Sequence, residues 1–178
     1  MRLFVAVQVP EGLKEKAAAL SKELPADAIT PVRPENMHLT LRFIGEVDER
    51  TKDGIVEKLE KIRFKPFKCT LRGVGVFPNE DYVRVVWAGL ESEGALETLA
   101  KDVIGALEGY GKDEGRGFTA HLTIVRVRRK IDAAPFLKKH KDDVFGEFVV
   151  DGFDLIESAL RPGEPPAYKR IAEFESDG

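Results

Sequence analysis

Two four-residue segments share one pattern of side chains: His38-Leu39-Thr40-Leu41 and His121-Leu122-Thr123-Ile124. The chain holds only three histidines, so two of them stand in the same setting. On a strand, residues two apart point to one face about 6.5 Å from each other. Each histidine therefore shares a face with its threonine, while the apolar residues of the tetrad turn to the core. One such histidine alone reads as a satisfied side chain on a half-buried strand. The same tetrad twice, about half the chain apart, points to an internal duplication that sets the two copies face to face across a pseudo-twofold axis.

Two facing imidazoles suit phosphoryl transfer: one takes a proton from the attacking oxygen and the other protonates the departing oxygen. An unperturbed imidazole titrates near pH ~6.5, so one charged and one neutral ring coexist near neutrality without extreme tuning. The hydroxyls of Thr40 and Thr123 can donate to nonbridging phosphate oxygens. Arg42 lies two residues beyond Thr40, which on a regular strand puts it on the His38 face, where a guanidinium can grip phosphate. Arg126 lies five residues beyond His121 and falls on the opposite face of a regular strand, so its reach to phosphate requires a bend. The run Arg126-Val127-Arg128-Arg129-Lys130 is the densest basic cluster; such runs are mostly solvated surface, and beside the second tetrad this one can also steer an anionic substrate. His140 sits among lysines with no threonine companion and reads as a surface residue.

Other motifs fail on detail. In Gly109 to Lys112, a phosphate-loop lookalike, the lysine is followed by Asp113 in place of Ser or Thr, and no strand precedes it. Thr51-Lys52-Asp53-Gly54 lacks the residue between Lys and Asp that a nucleotidyl-lysine motif needs. Trp87, Cys69 and most of the 11 Phe fall in expected strands and read as core.

The elements that must carry the tetrads follow from periodicity. Arg2 to Val9 reads as a buried strand, and Leu13, Ala17 and Leu20 as a helix. Pro25, Pro31 and Pro34 mark an extended connection into a strand over Met37 to Ile44. Asp48 to Arg63 is an amphipathic helix. Phe67 to Phe77 and Tyr82 to Leu90 form a hairpin across Pro78-Asn79-Glu80-Asp81. Glu91 to Glu108 is a helix ended by Gly109 to Gly117. Ala120 to Val127 is a strand, Ile131 to His140 a short helix, and Val144 to Val150, Phe153 to Leu160 and Tyr168 to Phe174 are strands. Antiparallel hairpins with interspersed helices make the class α+β.

The 178 residues suffice for one domain, or two lobes sharing a core. With 33% charged residues, 43% apolar residues, and Gly and Pro scattered, the composition excludes collagen, coiled coil and disordered low complexity. A net charge of −3 excludes a surface that is basic throughout, so any nucleic-acid contact is local. The single Cys69 excludes an internal disulfide and a multi-cysteine metal site, and fits a reducing compartment. The opening apolar run lacks the flanks of a signal peptide, and no stretch approaches a membrane span. The chain is expected to be cytoplasmic.

The chain resembles the two-histidine phosphoesterase superfamily and, within it, the archaeal and bacterial RNA 2′,3′-cyclic phosphodiesterases also named 2′-5′ RNA ligases. The resemblance spans nearly the whole chain: Leu3 to Val9, Asn36 to Glu46 with the first His-x-Thr-x motif, Gly75-Val76-Phe77-Pro78, Phe118 to Arg126 with the second, and Ser158 with Tyr168. Ala120 departs from the proline that many relatives carry before the second histidine. The resemblance implies a single bilobal domain over residues 1–178, with two antiparallel sheets around a central cleft, helices outside, and one motif per lobe. It implies His38 as proton donor, His121 as proton acceptor, and a terminal 2′,3′-cyclic phosphate opened so that a 2′-phosphate remains. It raises Arg126 to a phosphate ligand, implies no cofactor and no metal, and implies that the same site can join RNA ends without ATP. The expected partners are RNA ends bearing 2′,3′-cyclic phosphate, with no membrane surface and the chain as a monomer. Hydrolysis of a small cyclic nucleotide, and an RNA-binding module with a relict cleft, stand as alternatives.

Overall fold

The computed structural model describes residues 1–111 and 117–178. Lys112 and Asp113, which rule out the phosphate-loop reading, lie outside the described residues, as does most of the glycine-rich stretch after the third helix.

Two antiparallel sheets carry the molecule. The first has strand order β3-β1-β8-β9, from β1 (Arg2–Val7), β3 (Leu39–Glu46), β8 (Gly152–Ala159) and β9 (Ala167–Glu175). The second has order β2-β6-β5-β4-β7, from β2 (Ile29–Pro31), β4 (Phe67–Asn79), β5 (Tyr82–Glu91), β6 (His121–Val127) and β7 (Val144–Val150). The two tetrad strands hold matching places: β3 begins the series β3-β1-β8-β9, and β6 begins the series β6-β5-β4-β7 once the short β2 is set aside. Four α-helices complete the described structure: α1 (Glu11–Ala19), α2 (Glu49–Leu59), α3 (Ala95–Ala106) and α4 (Ala134–His140). The α+β class expected from the sequence is what the chain forms.

β1 is apolar on both faces because both are covered. Leu3, Val5 and Val7 enter the main core, whereas Phe4 and Ala6 form a second small cluster with Ile156 and Tyr168. That smaller cluster lies against the His38 ring through Phe4 and Tyr168. α1 packs against the second sheet, with Leu13 filling the space over Gly146 and Lys16 Nζ donating to the Phe145 carbonyl at 3.1 Å.

Several boundaries move for local reasons. The hairpin strands run to Asn79 and restart at Tyr82. The Asn79 side-chain carbonyl accepts from the amides of Asp81 (3.0 Å) and Tyr82 (2.9 Å) and closes the turn within two residues. The third helix starts at Ala95 rather than Glu91, because Glu91 still pairs with Thr70 and the Ser92 hydroxyl accepts from the Leu96 amide at 2.8 Å. The fourth starts at Ala134, after Asp132 accepts from its amide at 3.1 Å, with a proline in its first turn.

His140 is not a surface residue: only 5% of it is exposed. Its Nδ1 faces Asp143 Oδ2 at 2.6 Å, its Nε2 faces Glu23 Oε2 at 2.9 Å, and its ring packs on Phe136. The lysines around it suggested a wet helix face, but the helix turns this position onto the acidic end of the Leu20–Glu23 3-10 turn, where Lys139 also pairs with Glu23. This cluster ties α4 to that turn and lies outside the site described next.

Candidate active site

His38 and His121 are held the same way. His38 Nδ1 lies 3.2 Å from the Asn36 carbonyl, and His121 Nδ1 lies 2.7 Å from the Thr119 carbonyl, each two residues back along the chain. A carbonyl oxygen only accepts, so Nδ1 carries a hydrogen in both rings, and Nε2 is left to exchange protons. The burial pattern of each tetrad is the one expected: Leu39, Leu41, Leu122 and Ile124 are in the core, and the histidines and threonines are half-buried.

Aromatic rings wall each imidazole. His38 stands edge-on to Tyr168 (4.6 Å between centroids) and to Phe4 (5.5 Å), and Phe4 in turn meets Tyr168 at 5.6 Å. His121 stands edge-on to Phe77 (4.9 Å, 89°) and tilted to Trp87 at 6.1 Å, with Phe77 and Trp87 5.2 Å apart. Trp87 is therefore a wall of the site and not a core residue. The signal for it was in the glycines: a Cβ on Gly75 would lie 2.2 Å from the Trp87 ring, so only glycine there lets the indole lie flat across β4. Gly75→Ala is expected to push Trp87 off its seat and to cost about 1–3 kcal/mol of stability. Thermal unfolding of the purified variant, read beside its turnover, checks this; unchanged values of both would contradict it.

Bulges decide what the two arginines do. On β3, Thr40 pairs with Ala6 but Arg42 pairs with Val5, two steps against one. The extra residue turns Arg42 to the face that Val5 occupies, so it does not share the face of His38 as a regular strand would require. Its guanidinium instead donates to the carbonyls of Ile104 (3.2 Å) and Tyr110 (2.8 Å), tying β3 to the C-terminal end of α3. On β6, Thr123 pairs with Trp87 but Arg126 pairs with Val85, so the same device brings Arg126 onto the face of His121 and Thr123. Consecutive burial of Ile124 and Val125 marks the bulge. The bend that Arg126 requires is thus present. Its charge reaches the Tyr168 hydroxyl on the opposite sheet, opposing the upward push that burial gives that phenol. Arg128 is drawn away to the carbonyls of Asp27 and Ile29.

Burial is the main cause holding both imidazoles below the ordinary value. For His38 the charge of Lys14 adds to it, against the Asn36 bond and Asp154; for His121 only the Thr119 bond opposes it. Both rings therefore favour the neutral form in the free protein. Cys69 is buried and its thiol is pushed up to about 12, chiefly by desolvation, which removes it as a nucleophile. No described helix is long and apolar enough to cross a membrane.

Comparison with known proteins places this geometry in company. The family description LigT like phosphoesterase matches residues 3–87. The RNA 2′,3′-cyclic phosphodiesterase of Archaeoglobus fulgidus is 43% identical over 177 residues, covering 98% of this chain and 100% of the relative. The protein of the same name from Methanocaldococcus jannaschii is 36% identical over 182 residues, covering 98% of this chain and 100% of its own length. A crystal structure of a Thermus thermophilus protein superposes with a TM-score of 0.82 at 31% identity, covering 98% of this chain and 97% of that one.

Proposed function

The chain belongs to the LigT-like phosphoesterases of the two-histidine superfamily, and from that membership we propose that it is an RNA 2′,3′-cyclic phosphodiesterase in which His38 and His121 move the protons. The observation that carries the reading is the twin geometry: each imidazole is fixed through Nδ1 to the carbonyl two residues back, leaving Nε2 for chemistry.

The reaction then runs as an in-line displacement. Nε2 of His121 takes a proton from water as its oxygen bonds to phosphorus. The bond from phosphorus to the 3′ oxygen breaks, and protonated His38 delivers its Nε2 hydrogen to that oxygen. The products are a 2′-phosphomonoester and a free 3′-hydroxyl, with the proton gained by one histidine returned through solvent to the other. Thr40 and Thr123 donate to the nonbridging oxygens, and Arg126 neutralises charge as it accumulates.

Burial makes the pH dependence specific. Activity needs one protonated and one neutral ring, and both are held below the usual ~6.5. The alkaline limb of kcat/KM, which reports the free enzyme, is therefore expected below that value. The limb of kcat is expected at higher pH, because the bound anion favours the imidazolium. Coincident limbs at or above ~6.5 in both profiles would contradict the account. The reading itself is tested by incubating a short oligonucleotide ending in a 2′,3′-cyclic phosphate with the protein in EDTA and resolving the products. The expected product is the 2′-phosphate; an unchanged end, or a 3′-phosphate, would overturn it.

A further inference from the structure

The two sheets match in strand order and differ in what lies behind each histidine. Across the first sheet, Thr40 pairs with Ala6 and Ala6 with Asp154. Across the second, Thr123 pairs with Trp87 and Trp87 with Gly75. Asp154 and Gly75 therefore hold the same place in the two copies, two strands in from the tetrad threonine and on the face that carries it. In the second copy the large Trp87 lies over the bare Gly75. In the first, the small Ala6 leaves room, and the matching position holds a carboxylate that is only 2% exposed. His121 thus has an indole beside it where His38 has a buried anion.

Asp154 is fixed from two sides. Its Oδ2 accepts from Gln8 Nε2 at 2.9 Å and from Arg170 Nε at 3.0 Å. An oxygen that accepts from two N–H groups, one of them a guanidinium, belongs to an ionised carboxylate. Val7 pairs with Leu39, so one further step along both chains brings Gln8 level with His38. The other charges here are Lys14 on α1, 2.9 Å from Glu11, and Glu173 on β9, 3.3 Å from Arg170. Tyr168, also on β9, meets the His38 ring with a phenol that burial keeps protonated. The charge of Asp154 acts to hold a proton on His38, against burial and Lys14, and among the described residues no carboxylate acts on His121.

We propose that Asp154 is the positioning residue that makes His38, rather than His121, the proton donor. This rests on the cyclic-phosphodiesterase reading above. Two matched imidazoles that must share one proton have no preference of their own, and a fixed anion on one side supplies it. The proton that the reaction needs then sits on the leaving-group side before substrate arrives.

NMR titration of the two imidazoles in the ligand-free protein tests this. Asp154→Asn keeps the shape and removes the charge, and is expected to lower the pKa of His38 by about 0.3–1 pH unit, the range for a unit charge two strand spacings, or about 10 Å, away. Arg170→Gln leaves the carboxylate less compensated and is expected to raise it, so this variant decides the matter even where Asp154→Asn does not fold. His121 is expected to stay in place in both. Opposite signs separate the charge from structural damage, which has no reason to reverse between the variants. On a cyclic-phosphate RNA end above the alkaline limb, kcat/KM of Asp154→Asn is expected to fall about two- to tenfold, the same change on a logarithmic scale. An unmoved His38, changes of one sign in both variants, equal changes at His121, or an undiminished kcat/KM would each overturn the proposal. Failure of the unaltered protein to open that end would instead overturn the phosphodiesterase reading, while the titrations still decide whether Asp154 directs the proton.

Discussion

His38→Ala and His121→Ala are each expected to lower turnover of a cyclic-phosphate RNA end by at least ~100-fold, with the fold intact. The magnitude is the lower range for removing a positioned general acid or base. Both rings are half-buried against aromatic neighbours, so truncation leaves a gap. A loss from that gap alone would appear in thermal unfolding, whereas the proposed roles require the loss to remain in protein shown to be folded. The double variant should be little worse than either single one, because groups that act as one unit are not additive. Turnover within a fewfold of normal in either folded variant would remove that histidine from the chemistry.

Arg126→Ala and Arg42→Ala are expected to part company, although both arginines follow a tetrad closely. Arg126 faces the cleft beside Thr123 and acts on Tyr168 across it. Its removal is expected to lower kcat/KM by about 30-fold, within the range for a charge-assisted hydrogen bond of roughly 1.5–3 kcal/mol. Arg42 donates to two carbonyls at the end of α3. Its removal is expected to cost about 1–3 kcal/mol of stability, a fall in Tm of several degrees at roughly 2–4 °C per kcal/mol for a chain this size. Turnover per folded molecule should change little. Steady-state kinetics and thermal unfolding of both variants separate the cases; a catalytic loss for Arg42→Ala matching that of Arg126→Ala would mean that the strand bulges do not sort the two side chains.

The tetrads were legible because a strand period of two, applied to His-x-Thr-x, already puts the polar pair on one face and the apolar pair in the core. The strands around them were legible for the same reason. What the sequence could not show was where that period breaks. A bulge adds one residue to one strand of a pair, and nothing in Leu41-Arg42 or Ile124-Val125 marks it until the partner strand is known. Counting on a regular strand therefore put Arg42 in the cleft, and left the place of Arg126 to an unseen bend. His140 was misread for a different reason: its partner Glu23 is more than a hundred residues away, so its local lysines described only the exposed side of its helix. Trp87 was misread because its seat is made by Gly75 on the neighbouring strand. In each case the missing information was a pairing across the chain, which composition and periodicity do not carry.

In the proposed mechanism the two histidines divide the proton transfers, one on the side of the attacking water and one on the side of the leaving group. That division is tested most directly by replacing the 3′ leaving oxygen with a far better leaving group and measuring kcat/KM for the unaltered protein, His38→Ala and His121→Ala on both substrates. Departure of a good leaving group needs little protonation, so the loss of the acid should matter less. The account predicts substantial recovery of His38→Ala on the activated substrate, with His121→Ala still impaired for want of its base. Recovery of His121→Ala alone would reverse the two roles, and recovery of neither would contradict proton transfer as the work of this pair.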